Sequence, residues 1–273
     1  MKHINEYIRH ATFQKKMIPG FNVFGYEDSL AVVKAAEQAN APVLLMVNRD
    51  ARRVMNIKHW GALLNSIASQ ASVPVGVHLD HCTELKSIQL AIENGFTSVM
   101  YDGSKLPLNE NIMNTHQVVC LAREKGVAVE GEVGSVPYDD LGETRSEMTL
   151  PEEAWQFCQE SQVDWLAVSV GNIHRLHEGK AKLDFSRLES IESLCQTPLV
   201  IHGASGIGSD DINKLKEHHV AKVNIGTVLR RAFGEALRQS FQENPAVYDR
   251  LTLFEKPAQQ LEKVAYEIIC QLK

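Results

Sequence analysis

The chain has 273 residues, 44% of them hydrophobic and 23% charged, with a net charge of −6. That is ordinary globular composition with length enough for a sizeable core, and the acidic balance argues against a nucleic-acid or anionic-membrane surface. No stretch approaches the ~20 apolar residues of a membrane span, and the opening "MKHINEYIRHATFQKK" lacks the apolar core of a signal peptide.

Short apolar runs then alternate with amphipathic segments. "IPGFNVF" (18–24) reads as a first strand and "DSLAVVKAAEQAN" (28–40) as a helix. "VLLMV" (43–47) and "VPVGVHL" (73–79) are further strands, the latter followed by the helical "TELKSIQLAIENG" (83–95), which Asn94-Gly95 stops. "TSVMYDG" (97–103) precedes "NENIMNTHQVVCLAREKG" (109–126), and "VAVEGEVG" (127–134) precedes a polar loop over 135–150. "PEEAWQFCQES" (151–161) opens as helices do, with proline first and acids in the first turn. "WLAVSVG" (165–171), "PLVIHG" (198–203) and "AKVNIG" (221–226) complete eight strands, and the tail from about Pro257 is an extra amphipathic helix. Most runs are apolar on both faces, as parallel strands covered on both sides must be. Eight such strands, each followed by a helix-length segment, predict an α/β fold: one (β/α)8 TIM barrel domain over 1–273, with an additional C-terminal helix. A doubly wound sheet is the alternative.

The five cysteines (Cys82, Cys120, Cys158, Cys195 and Cys270) are scattered and form no CxxC pair, which points to a reduced, cytoplasmic protein. The polar residues, in contrast, gather where strands end, and in a barrel that face carries the active site. Asp80, His81, Asp102, Glu132, Asn172, His174, His202 and Asn224 all fall there. Three histidines from three strands, His81, His174 and His202, beside carboxylates make a divalent metal site the natural reading. Neighbouring strand residues face opposite ways, so Asp80 and His81 share the site only if the strand breaks into a loop at that point. His78 lies on the same side as Asp80 and about 6–7 Å deeper, which makes it internal support. "PLVIHGASGIG" and "NIGT" follow the last two strands, where barrels frequently hold a phosphate.

These motifs together resemble the class II, metal-dependent ketose-bisphosphate aldolases, with the tagatose- and fructose-bisphosphate members nearest. "GFNVFGYEDSLAVVKAAEQANAPVLL", "HLDH", "YDGS", "VEGEVG", "LAVSVGNIH", "PLVIHGASGI" and "KVNIGT" carry the likeness in order over nearly the whole chain. The resemblance implies an aldehyde-lyase that cleaves a phosphorylated ketose reversibly to dihydroxyacetone phosphate and an aldehyde, with Zn2+ polarising the ketose carbonyl. It implies His81, His174 and His202 as zinc ligands, Asp80 as the acid/base, and Asp102 and Glu132 at a second or alternative metal site. Gly203, Ala204, Ser205, Asn224 and Thr227 match the family's phosphate cradle, and a homodimer or homotetramer is expected.

Several positions depart from the family pattern. The loop after the fifth strand lacks the usual Gly-Gly and carries Pro137-Tyr138, with Asp139, Asp140 and Glu143 as candidate proton donors. Arg175 replaces the usual glycine after the metal histidine, and Asn48-Arg49 stand where a phosphate-holding serine is common. Asn48 and Arg175 therefore join the phosphate-site candidates, and the substrate is expected to differ from the usual one. A non-catalytic subunit supporting a partner aldolase is the competing function. Its signature, a lost ligand or acid, is missing here, since Asp80 and all three histidines are present.

Overall fold

Uninterrupted apolar runs such as Val43–Val47 have to bury both faces, and a closed parallel barrel wrapped in helices allows that. In the computed structural model, which describes residues 4–141, 147–176 and 179–273, the strands follow one another around the ring in chain order. They are β1 (Ile18–Asn22), β2 (Val43–Val47), β3 (Val75–Cys82), β4 (Ser98–Tyr101), β5 (Ala128–Val133), β6 (Trp165–Val168), β7 (Leu199–Ile201) and β8 (Val220–Ile225). All neighbours are parallel, and β8 pairs back onto β1.

The connecting helices are α2 (Tyr26–Ala39), α3 (Arg49–Val54) with α4 (Ile57–Gln70), α5 (Leu85–Glu93), α6 (Leu108–Arg123), α7 (Pro151–Ser161), α8 (Phe185–Leu194), α9 (Ser209–Leu215) and α10 (Thr227–Glu243). On β2 the strand period divides the core. Val43, Leu45 and Val47 pack outward with the helices, whereas Leu44 and Met46 join a separate cluster. That second cluster also takes Ile18, Trp165 and Val200, together with Ile4 and Ile8 from α1 (Ile4–Ala11). The N-terminal segment, to which sequence reading assigned no element, is thus a short helix packed on the barrel through residues four apart.

Two expectations are corrected. The C-terminal helix, α11 (Arg250–Leu272), starts at Arg250 rather than near Pro257. Asp249 caps it by accepting the Thr252 N–H at 2.9 Å, so Pro257 sits inside the helix with its ring buried, at the cost of one backbone hydrogen bond. Strand β3 does not stop before Asp80-His81 either; it continues to Cys82 through a register shift between Leu79 and Cys82. Among the described residues, no helix is long and apolar enough to cross a membrane.

Candidate metal centre and active-site cleft

The register shift in β3 answers how Asp80 and His81 serve one site. His81 takes a left-handed backbone with φ of 46°, and the bulge re-aims a residue that strict alternation would turn outward. The distorted backbone is held by Arg52 of α3, whose guanidinium donates to the carbonyls of Asp80 and His81 at 3.1 Å each. Cys82, next in line, is simply buried in the outer core.

His81, His174 and His202 converge although β3, β6 and β7 are distant in sequence. One ligand atom from each falls within 4.8 Å of the others. His81 Nε2, His174 Nε2 and His202 Nδ1 are all buried with no hydrogen-bond partner. Buried polar atoms are rarely left unpaired, so three converging lone pairs are a donor set suited to a cation.

The other ring nitrogens set this arrangement. His202 Nε2 lies 2.7 Å from Glu130 Oε1, and a carboxylate can only accept, so the proton sits on Nε2 and the Nδ1 lone pair is left available. His81 Nδ1 is 2.7 Å from Asp102 Oδ2, while Asp102 Oδ1 accepts from Ser104 N and Oγ. Burial, with the charge of His81 added, holds both His174 and His202 well below the usual imidazole pKa and keeps them neutral. Burial opposes protonation of His81 too, but the charges of Asp80 and Asp102 outweigh it and raise its pKa to about 10. His81 is therefore the place where this cluster asks for positive charge, which a proton or a metal ion could supply. A second set, His81, Asp102 and Glu132, also meets metal-ligand spacing. Glu132 is pushed up to about 8 by burial and by the charge of Asp102, and its Oε2 accepts no hydrogen bond, with His202 Nδ1 3.6 Å away.

Asp80 is buried at the cleft floor, where Asn224 at the end of β8 donates from Nδ2 to its Oδ1 at 3.2 Å. Gly203, Ala204, Ser205, Asn224 and Thr227 line the same open cleft. Gly203 has φ of 62°, and a β-carbon there would come within 2.4 Å of the Ile173 carbonyl, so only glycine lets the loops after β6 and β7 meet. Thr227 opens α10, whose free N–H groups point the positive end of a 17-residue helix at the cleft. Asn48 also lines it, with its Oδ1 already accepting the Ala51 N–H as the cap of α3. Asn172 is not in the cleft lining; it is buried and donates to the His202 carbonyl at 2.8 Å.

The loop after β5 is stitched to the loop after β6. His174 N–H donates to Pro137 O, and Asp139 N–H donates to His174 O. This stacks Tyr138 on the His174 ring, with centroids 4.3 Å apart. Asp140 is ion-paired to Arg175, and Glu143 lies outside the described residues.

Sequence reading missed two residues beneath this floor. Glu130 Oε2 and Lys222 Nζ form a fully buried ion pair at 2.7 Å, so Glu130 joins Lys222 to His202. His78 packs beside them, with Nδ1 2.9 Å from Ser98 Oγ and Nε2 3.7 Å from Glu130. A signal was available. Glu130 shares the inward face with Glu132, and Lys222 shares it with Asn224, each a charge in a mostly apolar strand.

The sequence model of the class II fructose-bisphosphate aldolases matches residues 2–273. A sulfofructosephosphate aldolase from Alkalicoccus urumqiensis is 36% identical over 235 residues, spanning 85% of this chain and 82% of that protein. The crystal structure of the YdjI aldolase from Escherichia coli K12 superposes with a TM-score of 0.89 at 29% identity, covering 98% of this chain and 96% of that one. A fructose-bisphosphate aldolase from Campylobacter jejuni shares the fold alone, with a TM-score of 0.86 at 22% identity over 98% and 93% of the two chains. With three imidazoles, a buried aspartate and a helix N-terminus facing one cleft, this chain belongs to the class II fructose-bisphosphate aldolase family and is an aldehyde-lyase.

Proposed function

We propose that the protein is a zinc-dependent aldolase that reversibly cleaves a phosphorylated ketose to dihydroxyacetone phosphate and an aldehyde. The observation that carries this reading is the convergence of three unpartnered imidazole nitrogens, from His81, His174 and His202, beside a buried Asp80. These three residues would hold the zinc, with Asp102 and Glu132 available at a second position. A bound zinc supplies a Lewis acid for the ketose carbonyl oxygen and the negative charge that gathers there.

The rest falls to the chain's own side chains. Asp80 accepts the proton of the hydroxyl on the carbon beside the scissile bond. That carbon becomes the aldehyde carbonyl as the bond breaks, and its bonding pair moves to the ketose side, where the carbon that loses the bond takes up a proton to complete dihydroxyacetone phosphate. Asn224 holds Asp80 in place through the 3.2 Å hydrogen bond. Ala204, Ser205 and the first turn of α10 bind the triose phosphate through backbone N–H groups and the Thr227 hydroxyl. Arg175 and Asn48 stand at the same cleft and bear on which ketose enters.

The test combines zinc analysis with a chelator-sensitive cleavage assay on a panel of ketose 1-phosphates. The reading predicts about one tightly held zinc per cleft, loss of cleavage on chelation and recovery on zinc return. Zinc-free protein that cleaves at full rate, or zinc-loaded protein that cleaves none of the panel, would refute it.

A further inference from the structure

Among the described residues, one pair of cysteines meets. Cys158 and Cys195 are 37 positions apart in the chain, yet their sulfurs lie 2.9 Å from each other. The placement follows from the helices. Ala154, Phe157, Cys158 and Ser161 recur at helical spacing and form the buried stripe of α7, which turns the Cys158 thiol away from solvent. Cys195 follows α8 directly and closes it, its N–H donating to the Ile191 carbonyl, and its side chain meets α7. Both residues are buried in the outer core, and neither lines the cleft.

Sulfurs this close stand only about 1 Å beyond the ~2.05 Å of a disulfide bond, so bonding needs little more than a side-chain adjustment. The Cys158 thiol beside it and hydrogen bonds from Thr197 hold Cys195 down to about 7 against the opposing effect of burial, which makes it the readier thiolate. The other three cysteines stand apart: Cys82 is buried next to His81, while Cys120 and Cys270 are exposed.

We propose that Cys158 and Cys195 form a peroxide-oxidised disulfide site, a reversible clamp that ties α7 to the end of α8 outside the cleft. The bond closes the segment 158–195, which carries β6 and His174. The Cys195 thiolate attacks one peroxide oxygen and the O–O bond breaks. Hydroxide leaves and takes up a proton as water, and Cys195 becomes a sulfenic acid. The Cys158 sulfur then displaces that hydroxyl, the S–S bond forms, and the Cys158 proton departs with the hydroxyl as a second water. Two sulfurs give up two electrons in all, and one peroxide is reduced to two waters. Burial selects this oxidant. A peroxide is small and uncharged, whereas a glutathione-sized disulfide does not reach sulfurs enclosed between two helices.

The test treats reduced, zinc-loaded enzyme with hydrogen peroxide, alkylates the remaining thiols after denaturation and maps the peptides. The expected product is a linked Cys158–Cys195 peptide that a dithiol reductant removes. Oxidised enzyme should melt about 5 °C or more above the reduced form, because the cross-link restricts the unfolded chain, and should cleave ketose phosphate within about twofold of the reduced rate. Cys158→Ala and Cys195→Ala should each abolish both the linked peptide and the shift. In Cys158→Ala, the stranded Cys195 should proceed to sulfinic acid. The comparison of oxidised with reduced wild type carries the test should either variant fold poorly. Free Cys158 and Cys195 after peroxide has oxidised Cys120 and Cys270 overturn the inference. So does a glutathione adduct on Cys158 or Cys195 after treatment with oxidised glutathione. A linked peptide whose formation lowers the melting temperature or abolishes cleavage also overturns it, because the bond would then belong to a distorted protein rather than to a clamp on the native one.

Discussion

The floor and the rim of the cleft are built on opposite principles. At the floor, Glu130, Lys222 and His202 are fully buried and bonded to one another, and Asp102 is fixed between His81 and Ser104. At the rim, Asp50, Arg49, Arg175 and Arg230 are partly exposed and several cations share one carboxylate. Buried pairs are rigid because breaking one strands a charge in a low dielectric, while exposed pairs exchange at little cost. The floor can therefore hold donor atoms in place, and the ion pairs of the rim can exchange partners among themselves. The same residue types do different work according to their access to water.

This contrast can be broken at several points. The largest effect is expected at Asp80. Asp80→Ala should lower kcat by about 10²–10⁴-fold with zinc content unchanged, the usual range for a lost general acid/base; loss of zinc instead would make Asp80 a ligand. Next is the buried pair. Lys222→Met leaves Glu130 without its ammonium partner and should destabilise the fold by ~3–5 kcal/mol in denaturant unfolding, with a large part recovered in Lys222→Met/Glu130→Gln. Strict additivity of the two substitutions would mean they do not act as a pair. Asp102→Asn removes the carboxylate behind His81 and should weaken zinc binding by about 10–100-fold in a competitive chelator titration. An unchanged affinity would detach Asp102 from the metal. At the rim, Arg175→Gln should change unfolding stability by no more than ~1 kcal/mol. A larger loss would place the rim among the structural elements and erase the contrast.

The same division decides what could be read in the sequence. The strands and most helices were legible because covered parallel strands are apolar on both faces, and "VLLMV" coincides with β2 residue for residue. The convergence of His81, His174 and His202 was legible because a barrel brings strand ends to one face. The way His81 turns inward was not. Alternation forbids it, and the resolution is a bulge held by Arg52 from a helix 29 residues earlier. Glu130 and Lys222 went unremarked although their parity with Glu132 and Asn224 marks them as inward-facing. The Arg175–Asp50 bridge joins positions 125 residues apart, one in the loop after β6 and one in the first turn of α3, and such a contact leaves no periodic trace. The start of α11 lies before Pro257 because the Asp249 cap, eight residues earlier, sets it.

The central claim is that zinc binds through specific nitrogens of these three histidines, and a zinc-edge anomalous map from crystals of the zinc-loaded enzyme tests it most directly. The account predicts a peak about 2.0–2.1 Å from His81 Nε2, His174 Nε2 and His202 Nδ1 together. A peak bound to other residues alone, or to His202 through Nε2 with Glu130 displaced, would contradict it.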